Sequence, residues 1–201
     1  MRKPLPFEEA VIMAALVRHR YYTKGDDRGV RADLSFRNLA GLDLRQHVLK
    51  NIILRGANLS DANLSECDLS GADFFGADLD GTNLHHCNLV GADFRGANLS
   101  RAILSGSQLQ GADFSAGGAT GTDNARLTEA RLDQALLCQA NLNGCDMSDA
   151  ELVDANLTGA NLSKAVLIGA ELSGASLRVR PFGKQTSPAP SFRTPESNRW
   201  P

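Results

Sequence analysis

Long apolar runs are missing from this 201-residue chain. The longest, Ala10 to Val17, has eight residues, far short of the roughly 20 that cross a bilayer as a helix. No membrane partner is therefore expected. Arg2 and Lys3 precede that run, but Glu8 and Glu9 interrupt it and no Ala-x-Ala site follows, so it does not read as a secretory signal. A cytoplasmic protein is expected. Cysteine is scarce as well: four residues do not make a disulfide scaffold. The chain also lacks a phosphate-cradling glycine loop and any Ser/His/Asp or Cys/His pairing with supporting context. His85-His86-Cys87 is the one compact cluster of metal-capable residues. Cys87 falls at an inward position and His85 at an outward one, and no fourth ligand is evident. No enzyme, cofactor or metal is expected.

What the chain has instead is a period. Position 34 is leucine, and every fifth residue up to Phe114 is leucine or phenylalanine. The step resumes at Leu127 and runs to Leu177, with Met147 the one change of type. Five residues turn an α-helix by about 500°, so these side chains would make no stripe there. On a straight strand an odd step alternates faces. A chain that turns a corner every five residues keeps them together. Two positions before each centre sits a small residue, such as Ala57, Ala72, Ala92 or Ala155. Two positions after it sits a turn former, such as Gly71, Gly91 or Gly159, tolerant of positive φ. Asp or Asn precedes the centre, as in Asp73, Asn83 and Asn98, and favours turns. The second period is 20: Phe74, Phe94 and Phe114 recur at that step, as do Cys67 and Cys87. Four sides per coil would stack such residues. The 28 repeats then give about seven coils and a rod roughly 34 Å long, from a spacing of about 4.8 Å. Two reduced core cysteines are the expected state of Cys67 and Cys87.

The motif Ala-(Asp/Asn)-(Leu/Phe)-x-Gly, matched through most of 32–178, resembles the pentapeptide repeat family. The stretch from Arg18-His19 to Leu34-Ser35 also looks like the lead-in of many bacterial members. The resemblance implies a right-handed quadrilateral β-helix. The expected fold is thus an all-β solenoid of about seven four-sided coils with an N-terminal capping α-helix. Residues 1–31 form the cap and lead-in, 32–178 the β-helix with a loop near 115–126, and 179–201 a disordered Pro/Ser-rich tail.

The cap is predicted over Pro6 to Tyr22, with Pro6 at the first position, Glu8 and Glu9 at the positive dipole end, and Lys24-Gly25 as its stop. Phe7, Val11, Ala14 and Ala15 share one face, broadened by Ile12, Met13 and Leu16. The first coil departs from the small-residue rule, with Arg37, Leu42, His47 and Ile52 at its inward positions. Arg37 and His47 are expected to reach solvent or the cap. The step from Phe114 to Leu127 is 13 residues, two repeats plus three, and marks a loop that is either a tolerated insertion or a recognition element carrying Thr120 and Asp123. The last coil, Leu162 to Leu177, has no evident cap. It either pairs with a second copy in a homodimer or is covered by Phe182, Phe192 or Trp200.

Charge divides along the chain. Residues 1–31 carry seven basic and four acidic side chains, 32–178 ten and eighteen, and 179–201 four and one, so +3, −8 and +3. An acidic rod disfavours direct nucleic-acid binding. On the outward positions, Arg55, Phe75 and Arg95 form one column, either a self-contained cation–π ladder or a hot spot for a protein. Asp73, Asp93 and Asp113 form an acidic column on the same side, explained by turn hydrogen bonds or by imitation of a nucleic-acid backbone. The expected function is a non-catalytic protein–protein interaction scaffold with a protein partner. The alternative is a DNA-mimic protein that binds DNA gyrase or topoisomerase, as some pentapeptide repeat proteins do in conferring quinolone resistance.

Overall fold

The opening helix, α1 (Pro6–Thr23), is set by its ends. Pro6 needs no amide partner in the first turn, and Glu8 and Glu9 face the positive end of the helix dipole. The stop is a Schellman motif: Asp26 N–H donates to Tyr21 O at 3.1 Å and Gly25 N–H to Tyr22 O at 3.0 Å. Gly25 takes the left-handed conformation this requires, with φ of 69°. The structure is a computed structural model, and it describes residues 6–118 and 123–177.

The buried stripe of α1 is Ile12, Leu16 and His19, with Met13 and Ala15 partly covered. This corrects the expected face: Phe7 is 79% exposed, Val11 43%, and Ala14 lies outside too. The sequence is apolar nearly all round from Ala10 to Val17, so periodicity could not choose the stripe. Packing against the coil chose it. After the helix the chain doubles back beneath it. Val30 N–H donates to Arg18 O at 3.2 Å, and Ala32 N–H donates to His19 Nδ1 at 3.0 Å. That bond puts the imidazole proton on Nε2, which lies beside the backbone of Leu49 and Lys50 without a hydrogen bond of good geometry. Burial lowers the His19 pKa. The Leu49 and Lys50 backbone opposes that shift and the Arg31 charge adds to it. Gly29 lies so close to the helix that a Cβ there would sit 2.2 Å from Tyr22 N.

From Ala32 onward each repeat builds one side and one corner by the same bonds. The Asx before the centre accepts the N–H two residues on, as Asp68 Oδ1 does from Ser70 at 3.1 Å. The centre carbonyl accepts the N–H three residues on, as Leu69 O does from Ala72 at 3.0 Å. The residue between has positive φ, which makes each corner a type II turn. Glycine suits that position, but Phe36, Asn51, Glu66, His86 and others hold it at φ near 55–60°, each at about 1–2 kcal/mol. The ladder to the next coil repays this: Leu69 N–H donates to Asn88 O at 2.7 Å, and Asn88 N–H donates to Cys67 O at 3.0 Å.

The pairing is parallel and advances by 20 residues, with one bridge per repeat: Asp33 with Ile53, Asn38 with Asn58, Asp43 with Asn63, Val48 with Asp68. Four bridges per coil make a four-sided solenoid, and the columns run through seven coils. Among the described residues each side is a single-residue bridge between turns, so no extended strands form. We number the sides by the centres of the first coil: Leu34 one, Leu39 two, Leu44 three, Leu49 four. Phe74, Phe94 and Phe114 stack on side one with ring centroids 4.8 Å apart, which is the coil rise. The small inward positions are buried, and polar ones bond backbone: Thr82 Oγ1 donates to Leu59 O, and Ser107 Oγ to Leu84 O. Cys67 and Cys87 are free and donate to Leu44 O and Leu64 O. Burial pushes their thiols up to about 11 and about 12, so neither is a ready nucleophile.

The 13-residue step is spent differently from the arithmetic expectation. Asn98 pairs with Arg126 and Asp113 with Asn141, an offset of 28, so the step is one repeat plus an eight-residue insertion. No side is lost, and the columns resume in register. In the first coil Leu42 and Ile52 are buried, and Arg37 and His47 are exposed. At the far end Leu162 and Leu167 remain buried, while Ala170, Leu172, Ala175 and Leu177 are only partly covered. The expected tail at 179–201 and the residues Phe182, Phe192 and Trp200 lie outside the described residues.

Candidate partner-binding face

Side one gathers most of the outward residues singled out from the sequence. The coil rise places Arg55, Phe75 and Arg95 in one column, because each is the first residue of a corner. The Arg55 Cζ lies 5.6 Å from the centre of the Phe75 ring, and the Arg95 Cζ lies 5.5 Å from it on the neighbouring coil. The phenyl ring therefore stands between two guanidinium groups. Phe75 is half-buried by them.

The acidic column is not bare. Arg55 Nε donates to Asp73 Oδ2 at 2.5 Å, reaching across coils. Arg95 grips Asp93 with two bonds, Nε to Oδ1 at 2.9 Å and Nη2 to Oδ2 at 2.6 Å. Each aspartate also closes its own turn: Asp73 accepts Phe75 N–H, Asp93 accepts Arg95 N–H, and Asp113 accepts Ser115 N–H. Asp113 further accepts from Asn141 Nδ2 at 3.0 Å. Partial burial pushes the Asp93 carboxyl up, but the Arg95 hydrogen bonds and the Arg95 and Arg55 charges outweigh it and hold it below its ordinary value. The hydrogen bond to Asp73 raises the Arg55 guanidinium correspondingly. The result is a zipper of alternating charge around one aromatic ring.

The insertion reaches the same side. Gly117 N–H donates to Asp123 O at 2.8 Å, closing the stem of the loop. That stem lies on Gly96, directly after Arg95: a Cβ at Gly117 would meet Arg95 O and Gly96 Cα at 2.9 Å. The loop stem and the ladder are thus adjacent on one side, which sequence spacing alone did not bring together. Thr120 lies outside the described residues.

His85 and His86 have ring centroids 3.9 Å apart, while Cys87 points into the core and donates to Leu64 O. Among the described residues no group of three His, Cys, Asp or Glu is arranged to hold a metal ion. The remaining charge is unevenly shared. By column and among the described residues, side two carries six carboxylates and three arginines, side three six and two, and side four Asp68 and Lys50 alone. Several carboxylates are neutralised: Arg101 bonds both Asp80 oxygens across coils, and Arg131 lies 3.0 Å from Glu151 and 3.7 Å from Asp133. The Arg101–Asp80 link spans 21 residues, so the 20-residue period offered a signal for it that composition by side would have exposed.

The family model for pentapeptide repeats matches eight copies, over residues 48–81, 77–115, 123–159 and 145–178. Among solved structures, two trypsin-treated variants of QnrB1, a plasmid-mediated fluoroquinolone resistance protein, align at a TM-score of 0.59 and 24% identity. The first alignment covers 72% of both chains, and the second covers 73% of this chain and 74% of that one. A pentapeptide repeat protein from the Arabidopsis thaliana thylakoid lumen aligns at 32% identity over 55% of this chain and 68% of its own, with a TM-score of 0.32. No curated protein matches the chain significantly.

Proposed function

The chain belongs to the pentapeptide repeat family, and on that premise we propose that it is a non-catalytic scaffold that engages a partner protein through side one of a right-handed quadrilateral β-helix. The observation that carries this reading is the Arg55–Phe75–Arg95 ladder adjacent to the loop stem at Gly117 and Asp123. Aromatic and arginine side chains dominate hot spots, and a rigid solenoid presents them without ordering cost. The family is not a catalytic one. The centres and small inward positions are packed against one another through the described coils and fill their interior.

The test is affinity capture from native lysate with the intact chain, Phe75→Ala, Arg95→Ala and a version lacking 115–124. A partner retained by the intact chain and lost from the ladder variants is expected. Capture of the same proteins by all versions would discard side one.

A second reading rests on the carboxylates of sides two and three and on the fold shared with QnrB1. It takes the rod as a DNA mimic that binds gyrase or topoisomerase. Magnitudes weigh against it. A net charge of −8 over roughly 34 Å is one charge per about 4 Å, against one per about 1.7 Å on duplex DNA. The arginine pairs at Asp73, Asp80 and Asp93 dilute the field further. A gyrase supercoiling assay with and without a quinolone decides it. Neither inhibition nor protection at micromolar protein is expected.

A further inference from the structure

Between the second half of α1 and the corner at 45–48 lies a cavity of about 660 Å³, within the roughly 300–1,000 Å³ of ligand pockets. Met13, Leu16 and Val17 of the helix and Val48 of the coil give it apolar lining. Arg20, Lys24 and Arg45 give it positive charge. Val17 is 58% exposed and Val48 49%, so both offer apolar surface to an incoming group. Asp43 neutralises Arg45 with two bonds, and Glu66 is engaged by Gln46 Nε2 at 3.1 Å. Arg20 and Lys24 have no ion-pair partner among the described residues. Arg20 stands in the last turn of the helix and Lys24 directly follows its end.

Val48 and His47 both line this cavity. Val48 occupies the Asx position of side four, where Asp68 and Asn88 accept the N–H groups of Ser70 and Val90. Valine forgoes that turn bond and exposes a branched side chain. His47 replaces the small inward residue that Cys67 and Cys87 supply one and two coils on. It turns outward, with Nδ1 2.9 Å from Arg45 O. An exposed valine and an outward-turned histidine thus meet at one cavity, beside two cations that have no ion-pair partner among the described residues.

We propose that this cavity docks an acidic segment of another protein, which inserts one apolar side chain flanked by carboxylates. The apolar lining receives the anchor, and Arg20 and Lys24 meet the carboxylates beside it. The site is separate from the ladder of side one, and its partner chemistry goes beyond the scaffold reading.

The probe is a random 12-residue peptide phage library panned on the full chain, with enriched sequences remade as fluorescein-labelled peptides for anisotropy. Enrichment of an aliphatic or aromatic residue flanked by Asp or Glu is expected. Val48→Asp restores the residue type that the repeat prefers, so it folds. It places a carboxylate in the apolar lining and should weaken those peptides by about tenfold or more. Arg20→Gln with Lys24→Gln should weaken them about three- to tenfold and flatten their salt dependence. Phe75→Ala should leave them within about twofold, which separates this site from side one. Enrichment of no acidic sequence, or equal binding by Val48→Asp, overturns the proposal. A sedimentation coefficient that rises with concentration and is lost in Val48→Asp assigns the cavity to a second copy and overturns it too.

Discussion

The two ends of the rod carry the same repeat and meet different fates. At the first coil, α1 lays Ile12, Leu16 and His19 over the apolar centres, and Leu34 to Leu49 are as buried as the interior. At the last described coil, Leu172 and Leu177 are only partly covered. The N–H groups of Leu162, Leu167 and Leu172 have no backbone acceptor among the described residues, whereas Leu142, Met147 and Leu152 donate at 2.8–2.9 Å one coil earlier. A solenoid repeat satisfies its neighbours and never its own outer edge, so stability within one sequence pattern depends on position along the axis. The residue type at a centre says little about its contribution until the coil above it is known.

Leu152 and Leu172 test this most directly, since they are stacked on side three one coil apart. Leu152→Ala should cost about 2–5 kcal/mol by urea unfolding, the usual loss for a fully buried leucine, and Leu172→Ala about 1 kcal/mol or less. Equal costs would mean that the last coil is covered as well as the interior.

Leu16→Ala should cost about 2 kcal/mol or more, because the capping helix then loses its central anchor. A smaller loss would show that the first coil stands without its cap. Gly29→Ala attacks the same end through backbone: the new Cβ would collide with the Tyr21 and Tyr22 backbone. The expected result is faster amide exchange in α1 with the coils from Leu54 onward unaffected.

Acidity should also separate the ends. The folded chain holds the His19 pKa below its ordinary value. Below about pH 6.5 the unfolded chain takes up a proton that the folded one refuses, so stability falls as pH drops through that region. The loss stops growing once the folded pKa is passed. Exchange protection in α1 should decline between pH 7.5 and 5.5, and the His19→Gln chain should lose that dependence. An unchanged profile in the wild-type chain would mean that the imidazole finds a partner for its charge.

A similarly small effect belongs to side one. Phe75→Ala removes two exposed cation–π contacts, worth about 0.5–1 kcal/mol each at most. A loss of about 1–2 kcal/mol at most by urea unfolding, with circular dichroism unchanged, is expected. A loss of several kcal/mol would make the ladder a structural element and weaken its assignment to a partner.

A large part of the fold was legible in the chain. The five-residue step, the small residue at each inward position and the Asx before each centre gave corners, sides and the 20-residue stacking of Phe74, Phe94 and Phe114. The Arg55–Phe75–Arg95 column followed from the same period. What was not legible involved segments that the period does not relate. Residues Phe7, Val11, Ala14 and Ala15 looked like the centre of the buried face of α1, with Ile12, Met13 and Leu16 broadening it, and the coil selected Ile12, Leu16 and His19. The loop after Phe114 counted as two repeats plus three, and pairing made it one repeat plus eight. The Asp73, Asp93 and Asp113 column looked uniformly acidic, until Arg55 and Arg95 were seen to fold back onto two of its members.

The sequence by itself thus determined the unit, because every bond that makes a corner lies within five residues and, outside the insertion, the contacts that stack a coil lie about 20 away. Only the tertiary structure decided the rotation of the cap, the neutralisation of the acidic column, the placement of the loop stem on Gly96 and the opening of a cavity at Val48. Those depend on long side chains choosing among several reachable partners and on a helix choosing among several apolar stripes. Such choices are settled by which arrangement buries and pairs most once the rod is formed, and that comparison is not written in any local spacing.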